Sequence, residues 1–486
     1  MPRRLHTVLL CSVLLGGSVV AAGVAAPASA RVQAAPRVES VRQIARQNVA
    51  PRPESEPDTL VEPDVAVSPV NPRIAVAAAH DGRFPDGGAV AIAYAWTRDG
   101  GRTWRHAPVP GLTTATGGTY LRASDPVVAF GPDGTAYLST LLFDMPGCRS
   151  AVAVSRSVDG GRTFGPPRLV HASEVCQYSD DKNWLVVDTS ARSPHRGRLY
   201  QFWTPFLSDA RGTFLAAPQV LRWSDDKGRS WSPTVTVSGP AGETQNSQPG
   251  IQRDGTIVDT YVRYSSASRV EEPEHAIGLE RIAAAPRAEA AGDRLVARRS
   301  RDGGRTWSPE VTVTDDVGTG PSDIRCCLPS ATADPRTGRL YAVWNSVSPE
   351  LVRLSTSADG VHWSAPIPVN RDAAPGRPTV NADVTAYGGG VYVSYGVRDT
   401  AVEAGRYVQQ QISASRDGGR TFAAPLRVGP ASDLRYAAIA RGIFPGDYIG
   451  TASAPGRVYA VWCRSSTPPV ASATYHQTLY AAVLRP

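Results

Sequence analysis

One octapeptide, Ser-x-Asp-Gly-Gly-Arg-Thr-aromatic, returns along this chain. Ser157-Val-Asp159-Gly-Gly-Arg-Thr-Phe164, Ser300-Arg-Asp302-Gly-Gly-Arg-Thr-Trp307 and Ser415-Arg-Asp417-Gly-Gly-Arg-Thr-Phe422 are near-identical. Thr97-Arg-Asp99-Gly-Gly-Arg-Thr-Trp104 and Ser224-Asp-Asp226-Lys-Gly-Arg-Ser-Trp231 are close variants, and Ser357-Ala-Asp359-Gly-Val-His-Trp363 is one residue short. Recurrence at a near-constant period predicts repeated copies of one supersecondary unit. The third-position Asp residues, at 99, 159, 226, 302, 359 and 417, are separated by 60, 67, 76, 57 and 58 residues. That length holds about four short strands with their turns.

The motif reads as a hairpin tip. Before it stands a strand such as Ala91-Ile-Ala-Tyr-Ala-Trp96 or Gln410-Gln-Ile-Ser413, and after it a Pro-containing strand such as Pro309-Glu-Val-Thr-Val313. An Asp carboxylate accepts hydrogen bonds from turn amides, and the glycine pair takes positive φ at low steric cost. Two further strands precede each tip, for example Pro126-Val-Val-Ala-Phe130 and Gly134-Thr-Ala-Tyr-Leu138. The motif resembles the Asp-box, or BNR repeat, of the sialidase superfamily. The resemblance covers nearly all of the chain after its leader and implies an all-β β-propeller with the boxes at strand 3–4 turns. We count seven four-stranded blades, with six as the alternative. The seventh lacks a fourth strand after Gln477-Thr-Leu-Tyr-Ala-Ala-Val-Leu484. A segment within 38–50 or 58–61 is expected to complete it and remove the exposed edge.

The start reads as a secretory leader over 1–30: Arg3 and Arg4, an apolar stretch from Val8 to Ala22, then Ala28-Ser29-Ala30. Residues 31–58 are rich in Ala, Pro and Arg and read as a flexible segment, and 59–486 as the propeller. A secreted, extracellular monomer is expected. No other stretch is long and apolar enough to insert in a membrane. The net charge of +7 is spread along the chain, which gives no case for nucleic acid. Cys148 and Cys176 fall in loops that open on one face, so a disulfide between them is expected. Cys326-Cys327 either closes a vicinal ring or gives one member to Cys463. Without a Cys-x-x-Cys or matching His spacing, no metal and no cofactor is expected.

In this arrangement the boxes mark one face, and ligands are expected on the other, where seven sets of loops converge. Those loops carry Asp81, Arg83 and Asp86 in blade 1, Arg122 and Asp125 in blade 2, and Asp180, Asp181, Lys182, Trp184 and Trp203 in blade 3. Asn246, Gln248, Tyr261 and Arg263 follow in blade 4, Arg325, Trp344 and Asn345 in blade 5. Blades 6 and 7 add Asn381, Asp383, Arg398, Asp399, Asp447, Tyr448, Trp462 and Arg464. An Ala-rich insertion of about Val270 to Asp293 is placed to cover this face.

Asp81-Gly82-Arg83 resembles the Asp-Gly-Arg loop of bacterial sialidases, with Asp86 near their acid/base, and Arg263 lies near a carboxylate-binding arginine of that family. Thr478-Leu-Tyr480-Ala-Ala resembles the strand of the tyrosine nucleophile. Where the family opens its first blade with Arg-Ile-Pro, this chain reads Glu62-Pro63-Asp64. A sialoside carries a carboxylate at its anomeric carbon, so a tyrosine suits it better than an anionic nucleophile, and arginines clamp that carboxylate.

Three readings follow, each with a glycan or glycoconjugate as partner. The first is an exo-α-sialidase-like glycoside hydrolase using Asp86 or Asp81, Tyr480 and a clamp of Arg263, Arg325 and Arg398, with Arg83, Asp181 and Trp203 also at the substrate. The second is a non-catalytic carbohydrate- or protein-binding propeller. The third is a glycosidase or lyase for neutral polysaccharide, with Asp125 and Asp181 as its acid pair and Trp184, Trp203, Trp344 and Trp462 as sugar platforms.

Overall fold

The computed structural model describes residues 36–239, 242–265 and 292–486. The leader and most of the blade 4 insertion lie outside the described residues. The described chain is all-β, built of antiparallel strands with three single-turn 3-10 segments. Four-stranded units follow one another along it. The first runs Asp64–Val67, Ala75–Arg83, Ala89–Thr97 and Arg105–Pro108, each strand paired with its predecessor. It is joined to the second, which opens with Arg122–Phe130, by the pair Ala89↔Ala123. Later units open with Tyr178–Val187, Thr244–Ile251, Ser330–Ala333 and Thr379–Tyr387. The last combines Gly450–Ala454, Arg457–Ser465 and Gln477–Arg485 with Arg37–Ala45, which pairs antiparallel with Gln477–Arg485. The strand that completes this sheet thus comes from the other end of the described chain.

Apolar clusters sit between consecutive sheets, because each sheet is buried on both faces. Along Ala89–Thr97, Ala93 and Ala95 pack with Tyr459, Val461 and Val483 of the last unit. Their neighbours Ile92 and Tyr94 pack with Val128, Leu138 and Phe164 of the second. This is the period-2 alternation of a strand, with small side chains to one side and large to the other. Equivalent clusters join each unit to the next through to the sixth and seventh. The cluster between last and first closes the series. Full burial of a Val, Leu or Ile contributes about 1.5–3 kcal/mol, so these layers are the main source of cohesion.

The octapeptides lie between the third and fourth strands of their units. Asp99 Oδ1 accepts from the amides of Arg102 and Thr103 at 3.0 Å each, and Oδ2 accepts from the Thr103 hydroxyl at 2.6 Å. Thr97 Oγ1 accepts from the Gly101 amide at 2.9 Å. Burial alone would raise the Asp99 carboxyl, but bonds from Thr103, Thr97 and Arg102 outweigh it and hold it at about 2. The same pattern recurs at Asp159, Asp226, Asp302 and Asp417. In the short copy Asp359 instead accepts from Val361 and His362, and the His362 ring takes the place of the threonine hydroxyl. Each turn packs on the unit before it: Arg98 donates to Asp159 O, Arg198 to Gly303 O, and Arg457 of the last unit to Gly100 O.

Carboxylates also tie the inner strands together. Asp64 accepts from the Val128 amide of the next unit at 2.7 Å, and Asp383 from the Ser330 hydroxyl of the unit before it at 2.5 Å. Burial pushes Asp64 up to about 7, Asp383 to about 6 and Asp259 to about 8. Cys148 and Cys176 form a disulfide, as the positions of their loops suggested. Cys326 and Cys327 close the vicinal ring, leaving Cys463 a buried free thiol.

Candidate functional site

The inner strand of nearly every unit begins with a backbone irregularity. Glu62, Asp125, Lys182, Asn246, Cys327 and Asn381 have φ of 55°, 48°, 42°, 69°, 85° and 45°. Gly446 holds the corresponding place in the last unit at 110°. Left-handed φ is uncommon outside glycine, and such strain persists where the surroundings enforce it. Strand pairing breaks at these places, between Ser124 and Val127, Asp181 and Trp184, Gln245 and Gln248, and Val380 and Asp383. A bulge of this kind re-aims a side chain.

The re-aimed groups meet across the axis of the molecule. Lys182 of the third unit sets its ammonium 3.5 Å from the ring centre of Tyr448, which belongs to the seventh. Trp184 meets the same tyrosine edge-on at 6.4 Å. The third and seventh units thus touch through these side chains. Asn381 donates to Gly446 O at 2.9 Å and accepts from the Cys327 amide at 2.8 Å, while Asn246 donates to Pro329 O at 2.7 Å. The Asp447 amide donates to Glu62 at 3.3 Å.

At one side of this centre lie Glu62, His80 and Asp125, with ligand-type atoms all within 4.8 Å of one another. His80 Nε2 accepts from the Asp125 amide at 2.8 Å. Glu62 Oε2 lies 3.3 Å from the same nitrogen. With its lone pair taken up by the Asp125 amide, Nε2 has no proton to share with Glu62. Lys182 Nζ stands 4.0 Å from Asp125 Oδ2. A metal ion does not fit the three groups: the Asp125 amide uses the Nε2 lone pair, and the lysine ammonium already supplies a cation.

Two groups here invite a ligand. Among the described residues, Lys182 Nζ and Tyr448 Oη are buried without a hydrogen-bond partner, and an orphaned buried ammonium is costly unless something completes it. The cation–π contact with Tyr448 meets part of that cost. Burial, and then the charges of Asp125 and Glu62, push the Tyr448 phenol well above its ordinary value. The side chains of Glu62 and Asp125 keep 7% and 9% of their surface open, so the cluster has a narrow mouth.

The residues singled out from sequence are dispersed around this centre. Asp81 is buried; its Oδ2 accepts from the Asn48 amide at 3.0 Å, and burial pushes its carboxyl up to about 7. Arg83 is buried too, 3.6 Å from Glu56 and donating to Ile439 O at 3.2 Å. The Asp81-Gly82-Arg83 loop therefore clasps residues 48–56 instead of lying open. Asp86 is exposed and pairs with Arg122 at 2.6 Å. Arg263, Arg325 and Arg398 each pair with a carboxylate: Glu310 at 2.5 Å, Asp447 at 3.1 Å and Asp323 at 2.6 Å.

Tyr480 lies tilted against Trp462 with ring centres 5.9 Å apart and packs among Val38, Val41 and Leu426, between the sixth and seventh units. Its neighbour Leu479 faces the first unit, so the Tyr480 side chain points away from Asp81. Asp181 accepts from Gln245 at 2.7 Å, bridging the third and fourth units. Trp203 and Trp344 are fully buried and offer no face to a sugar; Trp184 is partly open. His80 was not recognised from sequence, because a single His at the end of an Ala-rich strand reads as core.

No protein-family model matches the chain, and no curated protein sequence matches it. Solved structures similar to it include a polysaccharide lyase of family PL25, an ulvan lyase, at 11% identity and a TM-score of 0.49, covering 88% of this chain and 94% of that one. An α-L-arabinofuranosidase from Fusarium graminearum is similar at 14% identity and a TM-score of 0.46, over 92% and 98% of the two chains. A Hadza microbial sialidase is similar at 15% identity and a TM-score of 0.46, over 82% and 74%.

Proposed function

We propose that the protein is a secreted, seven-bladed β-propeller glycosidase that takes a neutral glycan at its axial cluster, with the octapeptides serving as Asp-boxes. The observation that carries this reading is the meeting of Glu62, His80 and Asp125 beside the unpartnered ammonium of Lys182. Two carboxylates with oxygens within 4.8 Å of each other lie nearer the roughly 5–5.5 Å spacing of retaining glycosidases than the roughly 6.5–9.5 Å of inverting ones. Glu62 is the acid/base: it gives a proton to the leaving oxygen and later takes one from water. Asp125, 4.0 Å from Lys182 Nζ, is the nucleophile; it forms the glycosyl bond that water then breaks. Lys182 and Tyr448 also have hydrogen-bonding capacity for sugar hydroxyls.

The charge at the axis argues against a sialoside. Two carboxylates, Glu62 and Asp125, stand against the one ammonium of Lys182, and Asp447 is paired with Arg325, so a substrate carboxylate would meet a net negative cluster. Sialidase chemistry would need arginines that are here closed on Glu310, Asp447 and Asp323. Binding without turnover is the second reading, favoured by the narrow mouth over the two carboxylates.

The test is a screen of the secreted protein on neutral polysaccharides and aryl glycosides, with product configuration followed by proton NMR. Turnover with retained configuration, lost in Glu62→Gln, is expected. Inverted product, or full activity in Glu62→Gln, overturns the assignment. Glycan binding without turnover that weakens in Lys182→Met establishes the second reading instead.

A further inference from the structure

The opposite face carries a site of different character. Between the fourth, fifth and sixth units, at the end where the octapeptide turns lie, is a cavity of about 970 Å³. Arg253, Arg301, Arg339, Arg416 and Arg420 line it, and all but Arg253 are exposed. Among the described residues, Arg253, Arg301, Arg339 and Arg420 make no ion pair with a carboxylate. Arg339 donates to the Thr356 hydroxyl and Arg420 to Asp417 O, and both retain further donors.

Three carboxylates also line the cavity, and two are committed elsewhere. Asp417 accepts from the Arg420 and Thr421 amides and the Thr421 hydroxyl. Asp359 is held by the His362 amide and ring. Bonds from His362 keep the Asp359 carboxyl well below the usual range. Only Asp254 remains, and its Oδ1 accepts from Thr256. Five guanidinium groups against three carboxylates leave the lining cationic. Nothing in the octapeptide turn requires this, because Ser-x-Asp leaves the second position open, and this chain places Arg301 and Arg416 there.

We infer that this cavity binds the acidic groups of a polysaccharide, carboxylate or sulfate. Planar guanidinium forks match such groups bidentately. The one aromatic in the lining, Tyr341, is fully buried. A nucleic-acid strand, which draws much of its affinity from stacking on open aromatic faces, has no platform here. The site is independent of the axial cluster: it lies at the far end of the strands and shares no residue with it.

The test uses the whole mature protein and measures binding to heparin (sulfated), polygalacturonate (carboxylated), dextran (neutral) and single-stranded DNA at 50 and 200 mM salt. Binding to heparin, to polygalacturonate or to both is expected, at least about tenfold weaker at the higher salt. Which of the two binds identifies the acidic group. Arg253→Gln/Arg301→Gln/Arg420→Gln is expected to weaken it at least tenfold with an unchanged melting temperature, and Glu62→Gln to leave it alone. Binding of neither acidic glycan, equal binding to dextran, tighter binding to DNA, or a triple variant that binds as wild type overturns the inference.

Discussion

The two ends of the strands handle charge in opposite ways. At the loop end, Arg83, Arg122, Arg263, Arg325 and Arg398 each lie against a carboxylate, and the buried Lys182 ammonium has no hydrogen-bond partner among the described residues. At the turn end, four of the five arginines lining the large cavity stand exposed while its carboxylates bond to turn amides. Arginine content therefore does not locate an anion site. What matters is whether a carboxylate has already closed on the guanidinium. The loop end spends its charges on fixing loops and retains one small reactive cluster. The turn end uses its carboxylates in folding, while Arg301, Arg339 and Arg420 stand exposed.

The largest expected effect separates the reactive cluster from its surroundings. Asp125→Asn is predicted to lower kcat on the neutral substrate at least 100-fold, the usual scale for removing an acid–base or nucleophilic group. Asp86→Asn is predicted to stay within about twofold, since Asp86 is an exposed partner of Arg122. Steady-state rates of the two variants check this, and equal losses would erase the distinction.

Next in size are folding effects at the turn end. In Asp302→Ala the Arg305 and Thr306 amides and the Ser300 and Thr306 hydroxyls lose their acceptor. A cost of about 1–3 kcal/mol in urea unfolding is expected, with the rate per folded molecule unchanged. In Gly161→Ala the new methyl would collide with Val76 at a φ of 85°, and a comparable loss is expected. If either variant loses activity beyond its unfolded fraction, the octapeptides are not purely structural.

The pH dependence is smaller and has a definite sign. Asp259 is raised by burial to about 8, against about 3.9 for an unfolded aspartate. Its contribution to stability is complete below pH 4 and is lost as pH rises through 8. Asp259→Asn is therefore predicted to flatten the fall in melting temperature between pH 4.5 and 8.5. Asp99, held at about 2, acts in the opposite sense: its contribution is present above pH 4 and lost only as pH falls through 2. A slope unchanged in Asp259→Asn would show that the carboxyl is not buried as described.

The repeat and its hairpin tips were legible because their chemistry is local. The Asp, the glycines and the hydroxyl that bond to one another lie within eight residues, so the sequence displays the whole turn. The Cys148–Cys176 link was legible for a related reason, since the unit order alone brings their loops together. The site was less legible because its parts come from distant units. Glu62 was seen as a departure from a sialidase pattern and not as a group in its own right, and His80 was missed. Lys182 and Tyr448 were noted as loop residues, but nothing local shows that they touch. The ion pairs of the arginines were hidden for the same reason: Glu310, Asp447 and Asp323, which close on them, lie 47, 122 and 75 residues away in the chain. Trp203 and Trp344 looked like platforms because a buried and an exposed tryptophan read alike in a strand.

The most direct test of the axial cluster is a comparison of initial rates on one neutral glycan and one sialoside, for the wild type, Asp125→Asn and Tyr480→Phe. Turnover of the neutral glycan alone, abolished in Asp125→Asn and retained in Tyr480→Phe, is the predicted result. Turnover of the sialoside that is lost in Tyr480→Phe and kept in Asp125→Asn would contradict it.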